Sequence, residues 1–142
     1  MAEVEKSVLV PYSAQEMFAL VDAVEQYPQF LPWCGGTQLL LRDSTVTRAT
    51  IRIKYRGISQ SFSTENTKQP PHQIDLRLID GPFKSLDGSW RFTELGGGCK
   101  IELRLHYQFA SRMLEKLIGP VFDYIANSLV DAFVKRARAL YG

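Results

Sequence analysis

From Ser111 to Tyr141 apolar residues recur three and four positions apart, the pattern of one face of an α-helix. Met113, Leu114, Leu117, Ile118 and Val121 form a first stripe. Phe122, Ile125, Ala126, Leu129, Phe133, Ala137 and Leu140 form a second, offset around the axis. Ser111 suits the N-cap. Pro120 stands at the join; it lacks the N–H that would bond the Lys116 carbonyl and its ring crowds that carbonyl, so a kink or restart is expected. At about 1.5 Å per residue the segment would run about 45 Å, long enough to cross a small domain. A helix of this length with an apolar side must lay that side on another large element.

The chain upstream offers strands. Val4, Val8 and Val10 alternate with Glu3, Glu5 and Ser7 before Pro11. Ser13 with Glu16 forms a capping box, and Met17, Phe18, Leu20, Val21 and Val24 give the following short helix its apolar side. From Thr37 to Phe109 the period is two. Leu39 and Leu41 begin it; Ala49, Ile51, Ile53 and Tyr55 alternate with Thr50, Arg52, Lys54 and Arg56; Ile58 and Phe62 follow among serines. Ile74, Leu76 and Leu78, then Trp90 and Phe92, then Ile101 to Phe109 complete the series. Turn chemistry separates the runs at Arg42-Asp43-Ser44, Arg56-Gly57, Gln69-Pro70-Pro71-His72, Asp80-Gly81-Pro82, Asp87-Gly88 and Gly96-Gly97-Gly98.

These runs predict an α+β fold: a curved antiparallel sheet of about seven strands, one face wet and one dry, wrapped on a long kinked C-terminal helix. No crossover helices intervene to make the sheet parallel. Residues 1–142 are expected to form a single domain, since no linker, repeat or low-complexity stretch divides them.

The most unusual local sequence is Tyr27-Pro28-Gln29-Phe30-Leu31-Pro32-Trp33-Cys34-Gly35-Gly36. Two prolines restrict its backbone while its rings need apolar neighbours, so it reads as a rigid greasy turn, a plug at one end of the core or the lip of a pocket.

Cys34 and Cys99 are far apart, lack metal-site spacing and follow no secretory signal; they are expected to be free thiols in a cytoplasmic protein. No apolar run is expected to span a bilayer. The net charge of +2 is too small to argue for nucleic acid by itself. Two local clusters stand out, Arg48, Arg52, Lys54 and Arg56 along one strand, and Lys135, Arg136 and Arg138 near the end. The first suits the wet face of a strand and the second a helix C-terminus.

No phosphate loop, dinucleotide fingerprint, zinc motif or nucleophile elbow occurs, and no catalytic residue is assigned. His72 falls in a turn and His106 on the polar side of a strand, while Cys34 lacks an evident base. An enzyme is therefore not expected. The abundance of large rings instead suggests an elongated apolar pocket between sheet and helix, or else a solid core.

Three stretches carry a family resemblance: Tyr27-Pro28-x-Phe30-Leu31-Pro32-Trp33-Cys34, then Gly81-Pro82-Phe83 with Leu86, Gly88 and Trp90-x-Phe92, then Leu129-Val130-x-x-Phe133-x-x-Arg136-Ala137. In this order they resemble the coenzyme Q-binding protein and ribosome association toxin family, within the START-like (polyketide cyclase/dehydrase-like) helix-grip superfamily. The resemblance implies a helix-grip fold and a hydrophobic cavity holding ubiquinone or a related isoprenoid lipid, as a bound ligand and not a catalytic cofactor. Trp33, Tyr55, Leu76, Leu78, Phe83, Trp90, Leu103, Leu105, Phe122, Leu129 and Phe133 are the expected lining. The resemblance implies as an alternative that the protein binds the large ribosomal subunit and blocks subunit joining, with Arg48, Arg52, Lys54 and Arg56 as the candidate contact. Transient contact with the inner membrane would serve ligand exchange.

Overall fold

In the computed structural model, which describes residues 2–142, the period-two runs become strands β1 (Ala2–Val10), β2 (Cys34–Arg42), β3 (Val46–Tyr55), β4 (Ile58–Gln69), β5 (Gln73–Asp80), β6 (Phe83–Leu95) and β7 (Gly98–Phe109). They form one antiparallel sheet in the order β1-β7-β6-β5-β4-β3-β2. The chain thus meanders from β2 to β7, and β1 adds alongside β7. Helix α1 (Ala14–Asp22) and a 3-10 helix (Val24–Gln29) follow β1, and helix α2 (Arg112–Tyr141) ends the chain.

Alternation fixes the faces. Along β7, Cys99, Ile101, Leu103, Leu105, Tyr107 and Phe109 are buried while Lys100 and Arg104 are exposed. The same parity buries Ala49, Ile51 and Ile53 on β3. Both helix starts are capped as their sequences require. Ser13 Oγ accepts from the Glu16 N–H at 3.0 Å while Glu16 Oε1 accepts from the Ser13 N–H at 3.0 Å. Ser111 Oγ accepts from the Leu114 N–H at 3.1 Å.

The structure departs from the sequence pattern in several places, among them the start of the period-two series, where Leu39 and Leu41 are exposed, and the end of the second helical stripe, where Leu140 is exposed. Asp87-Gly88 makes no turn, for both residues lie inside β6, paired with His106 and Leu105 of β7. A Cβ at Gly88 would stand 2.3 Å from the Arg104 carbonyl oxygen, so this glycine serves close strand approach and not reversal. Helix α2 does not restart at Pro120; it is assigned as one helix across it. Buried Ile118, Gly119 and Phe122 flank the proline, so packing holds the helix on both sides of the missing hydrogen bond. The first apolar stripe is mostly unburied, with Met113 and Leu117 exposed. Lastly, by length and apolar content alone α2 suffices to span a bilayer, contrary to the expectation above. In this fold its stripe of Phe122, Ile125, Ala126, Val130, Phe133 and Ala137 is instead buried in the core.

Candidate functional site

Between the inward face of the sheet and α2 the core leaves an internal cavity of about 80 Å³. Six of the expected residues line it: Trp33, Leu76, Trp90, Leu105, Phe122 and Leu129. The other five do not. Phe83 is instead enclosed by other rings, with centroids 5.9, 5.2 and 4.8 Å from Phe62, Phe109 and Phe122. Phe133 fills the opposite end, 5.4 Å from Tyr27 and 5.4 Å from Trp90. Leu103 is buried in the core and Leu78 packs partly buried against it. Tyr55 stacks on Tyr124 of α2 at the sheet margin. Edge-to-face pairing of rings thus closes much of the space that an elongated pocket would need.

The lining also holds residues that the sequence pattern did not single out: Thr64 and Asn66 of β4 reach the cavity beside Ile51, Phe62 and Leu86. Thr64 is buried, and Asn66 Oδ1 is buried without a hydrogen-bond partner. Their signal was parity. They stand two and four positions after the inward Phe62, in a stretch where the sequence pattern picked out only Ile58 and Phe62 among serines. The third polar group at the cavity, Tyr27, is already satisfied. Its hydroxyl donates to the Val21 carbonyl at 2.5 Å, and burial pushes its pKa well above the ordinary phenol value.

Nearby, a polar network ties α1 to the sheet. Asp22 accepts from Thr47 Oγ1 at 2.8 Å and from buried Lys68 Nζ at 3.1 Å, and the Asp22 carbonyl accepts from Arg42 at 2.7 Å. Each charge is partnered, as a buried ion pair requires.

On the outer face the four expected cations differ. Arg48 is held by Glu65 at 2.6 Å, and Glu65 also takes Arg77. These two guanidinium groups, Arg77 first, hold the Glu65 carboxyl below its ordinary pKa. Arg52 and Lys54 are exposed and make no ion pair among the described residues. Opposite them on β4 stand Ser61 and Ser59. Arg56 sits in the two-residue Arg56-Gly57 turn, both residues at positive φ, 50° and 81°, as a type I′ hairpin demands.

The side chains considered for chemistry are not arranged for it. Cys34 is buried, its Sγ faces the Gly36 carbonyl at 3.6 Å, and burial raises the thiol pKa. His106 Nε2 lies 3.5 Å from Glu3 on the outer face, and His72 is exposed in the β4–β5 turn.

Residues 10–134 match the family described as polyketide cyclase / dehydrase and lipid transport. Over its whole length the chain is 42% identical to 99% of the ribosome association toxin RatA of Vibrio cholerae. It is 28% identical to the mitochondrial coenzyme Q-binding protein homologue B of Xenopus laevis, with 99% of this chain matching 59% of that one. A START superfamily protein from Mycobacterium smegmatis has the same fold, with a TM-score of 0.75 at 24% identity over 97% of this chain and 98% of that one. The two sequence relatives are named as a toxin and a binding protein, while the matched family's description also names cyclases and dehydrases. The chain belongs to the polyketide cyclase / dehydrase and lipid transport family, as a START-like helix-grip protein akin to the ribosome association toxins and, more distantly, the coenzyme Q-binding proteins.

Proposed function

We propose that the protein is a ribosome-associating factor that binds the large ribosomal subunit and hinders its joining to the small one. The observation that carries this reading is full-length likeness to proteins named ribosome association toxins, at 41–42% identity against 28% for the coenzyme Q-binding relative. A surface suited to the task lies on β3, where Arg52 and Lys54 are exposed without ion-pair partners. Hydroxyl-bearing Ser59 and Ser61 face them across the strand pair. Unpaired cations beside small donors suit phosphate oxygens, and such contacts weaken with salt. The test is cosedimentation with purified large subunits at two salt concentrations. Wild-type protein is expected in the subunit fraction, and the Arg52→Glu/Lys54→Glu double variant at the top of the gradient. Wild-type protein that stays at the top under low salt refutes the reading.

A second reading rests on the internal cavity: the fold holds an apolar ligand, of isoprenoid quinone type, as a ligand and not a redox cofactor. Apolar walls suit a ring and part of a tail, at roughly 25 cal/mol per Å² of apolar area buried. The cavity, at about 80 Å³, is below the roughly 150 Å³ that takes benzene. Ligand entry therefore requires α2 or the proline-rich turn to move outward. Extraction of protein purified from cells, followed by mass spectrometry, tests it, with quenching of Trp33 and Trp90 fluorescence by added quinone as the second readout. Neither signal would leave the cavity as ordinary core. Both readings fit a cytoplasmic protein, and the second adds brief contact with the inner membrane.

A further inference from the structure

A second concavity, of about 310 Å³, lies on the outside of the fold between α2 and the proline-rich turn. Its walls include the rings of Phe30, Trp33 and Tyr124 and the cations Lys135 and Arg136. Tyr124 is 47% exposed and forms part of a stack. Tyr55 lies under it, centroids 5.6 Å apart and planes 4° from parallel. Arg56 lies over Tyr55, its guanidinium carbon 5.2 Å from that ring's centroid. At the other wall the Arg136 guanidinium stands 5.1 Å from the Phe30 centroid and donates to Gln29 Oε1 at 3.0 Å. Its Nε is buried and has no partner. Asp131, the one carboxylate among the lining residues, is engaged by Lys135 at 3.2 Å. Arg136 and Arg56 therefore remain free of carboxylate partners among the described residues.

Cation, ring, ring and then ring, cation is an arrangement with a chemical use. Flat exposed rings stack on bases whatever their identity, and interleaved guanidinium groups meet the phosphates between them. A volume near the low end for ligand pockets suits one or two bases and not a helix of paired ones. A duplex keeps its bases stacked on each other and has no free faces to offer. Tyr124 is exposed and Tyr55 only partly buried against the core, so burial alone does not account for the stack.

We propose that this groove binds an unpaired stretch of RNA, with a base stacked on Tyr124 and the flanking phosphates met by Arg56 and Arg136. The proposal rests on the ribosome reading above and narrows it to a single-stranded segment of the RNA surface. It adds to the outer face of β3, from which it is not remote, since the Lys54 N–H donates to the Trp33 carbonyl at 2.9 Å.

The test is fluorescence anisotropy with a labelled ten-nucleotide single-stranded RNA and the blunt duplex that it forms with its complement. Four proteins are compared: wild type, Tyr124→Leu, Arg56→Gln, and Arg91→Gln as an exposed cation on β6 outside the groove. Tyr124→Leu keeps bulk and loses the flat face, and its melting temperature is measured beside its affinity. Tyr124→Leu is expected to weaken single-strand binding about fivefold to a hundredfold without lowering stability. Arg56→Gln should reduce the slope of log affinity against log salt by about 0.7. Arg91→Gln should change neither. Equal affinities for wild type and Tyr124→Leu, or duplex binding as tight as single-strand binding, overturn the proposal. Cosedimentation separates the two readings. If wild type and Tyr124→Leu both travel with large subunits and the single strand is not bound, the groove proposal falls and the ribosome reading stands. If the single strand is bound through Tyr124 and no protein travels with subunits, the ribosome reading falls and the groove stands.

Discussion

The hydroxyl of Tyr107 on β7 donates to Asp123 Oδ1 on α2 at 2.5 Å, and among the described residues no other side-chain hydrogen bond joins the sheet to this helix. Tyr107 is fully buried while Asp123 is exposed, so the two partners should respond unequally to loss. Asp123→Ala leaves the phenol of a buried tyrosine without its partner and is expected to cost about 1–3 kcal/mol. Tyr107→Phe keeps the ring and leaves a carboxylate that water can reach, at about 0.5–1.5 kcal/mol. Urea denaturation of both variants checks the order; a larger loss for Tyr107→Phe would contradict it.

That bond lies three residues beyond Pro120, and it divides α2 by how firmly it is held. Before the proline Met113 is 71% and Leu117 58% exposed, whereas Phe122, Phe133 and Ala137 are at most 4% exposed. Opening free energies follow buried contacts, so amide exchange should be faster over residues 112–117 than over 122–137. The missing N–H at Pro120 lowers the cost of opening the first part alone. Uniform protection along the helix would contradict this division.

Periodicity made most of the fold legible. Seven strands, the meander, both helix caps and the buried stripe from Phe122 to Ala137, though not its expected end at Leu140, follow from residue spacing, because each of these is decided by which side of an element is apolar. What was not legible depends on three-dimensional neighbours. Asp-Gly reads as a turn in one dimension, yet Gly88 faces Leu76 on one side and Leu105 on the other. Part of a cavity wall can be polar, as with Thr64 and Asn66, only because surrounding strands bury it, and no local pattern announces that. Phe83 and Phe133 were expected as walls; whether a ring lines space or fills it is set by the rings that approach it.

Gly88 therefore tests the correction. A methyl group there would meet Arg104 O at 2.3 Å and Leu105 Cδ2 at 2.7 Å, and the backbone atom cannot give way without breaking the β6–β7 pairing. Gly88→Ala is expected to cost about 2–4 kcal/mol, more than an ordinary overpacked site, because main chain and not a flexible side chain is in the way. A denaturation midpoint near that of the wild type would refute it. Gly96→Ala, in an open turn with nothing within 4 Å, is the matched control and should change little.

The Arg42–Glu25 clip links the β2 end to the 3-10 helix through two hydrogen bonds of 2.5 and 2.8 Å. The hydrogen bond from Arg42 holds the Glu25 carboxyl below its ordinary pKa, against an opposing effect of burial. A folded-state pKa below the unfolded one means stability that is fully present above roughly pH 4.3 and lost as pH falls through the folded value. The side chains are 30% and 41% exposed, so solvent screening limits the contribution to about 0.5–1 kcal/mol. Denaturation midpoints of wild type and Glu25→Gln should differ at pH 6 and converge below pH 4. Parallel curves with no convergence would show that the pair does not titrate with folding.

Asn66 offers the most direct probe of the cavity, because its expected effect has the sign opposite to most core substitutions. Its Oδ1 is buried without a partner, its neighbours across the sheet are Thr47 and Leu76, and it lines a space of about 80 Å³. An acceptor left without a donor costs about 1–3 kcal/mol, which folding of the empty protein must carry. Asn66→Leu removes that cost and adds apolar contact in the cavity, so thermal unfolding should shift upward by a few degrees. If the cavity serves a ligand bearing a hydroxyl or carbonyl, the same variant should bind it less well while binding a plain hydrocarbon of equal size no worse. A variant less stable than wild type would mean that water or a rearranged neighbour already satisfies Asn66, and that the polar end of the cavity is structural.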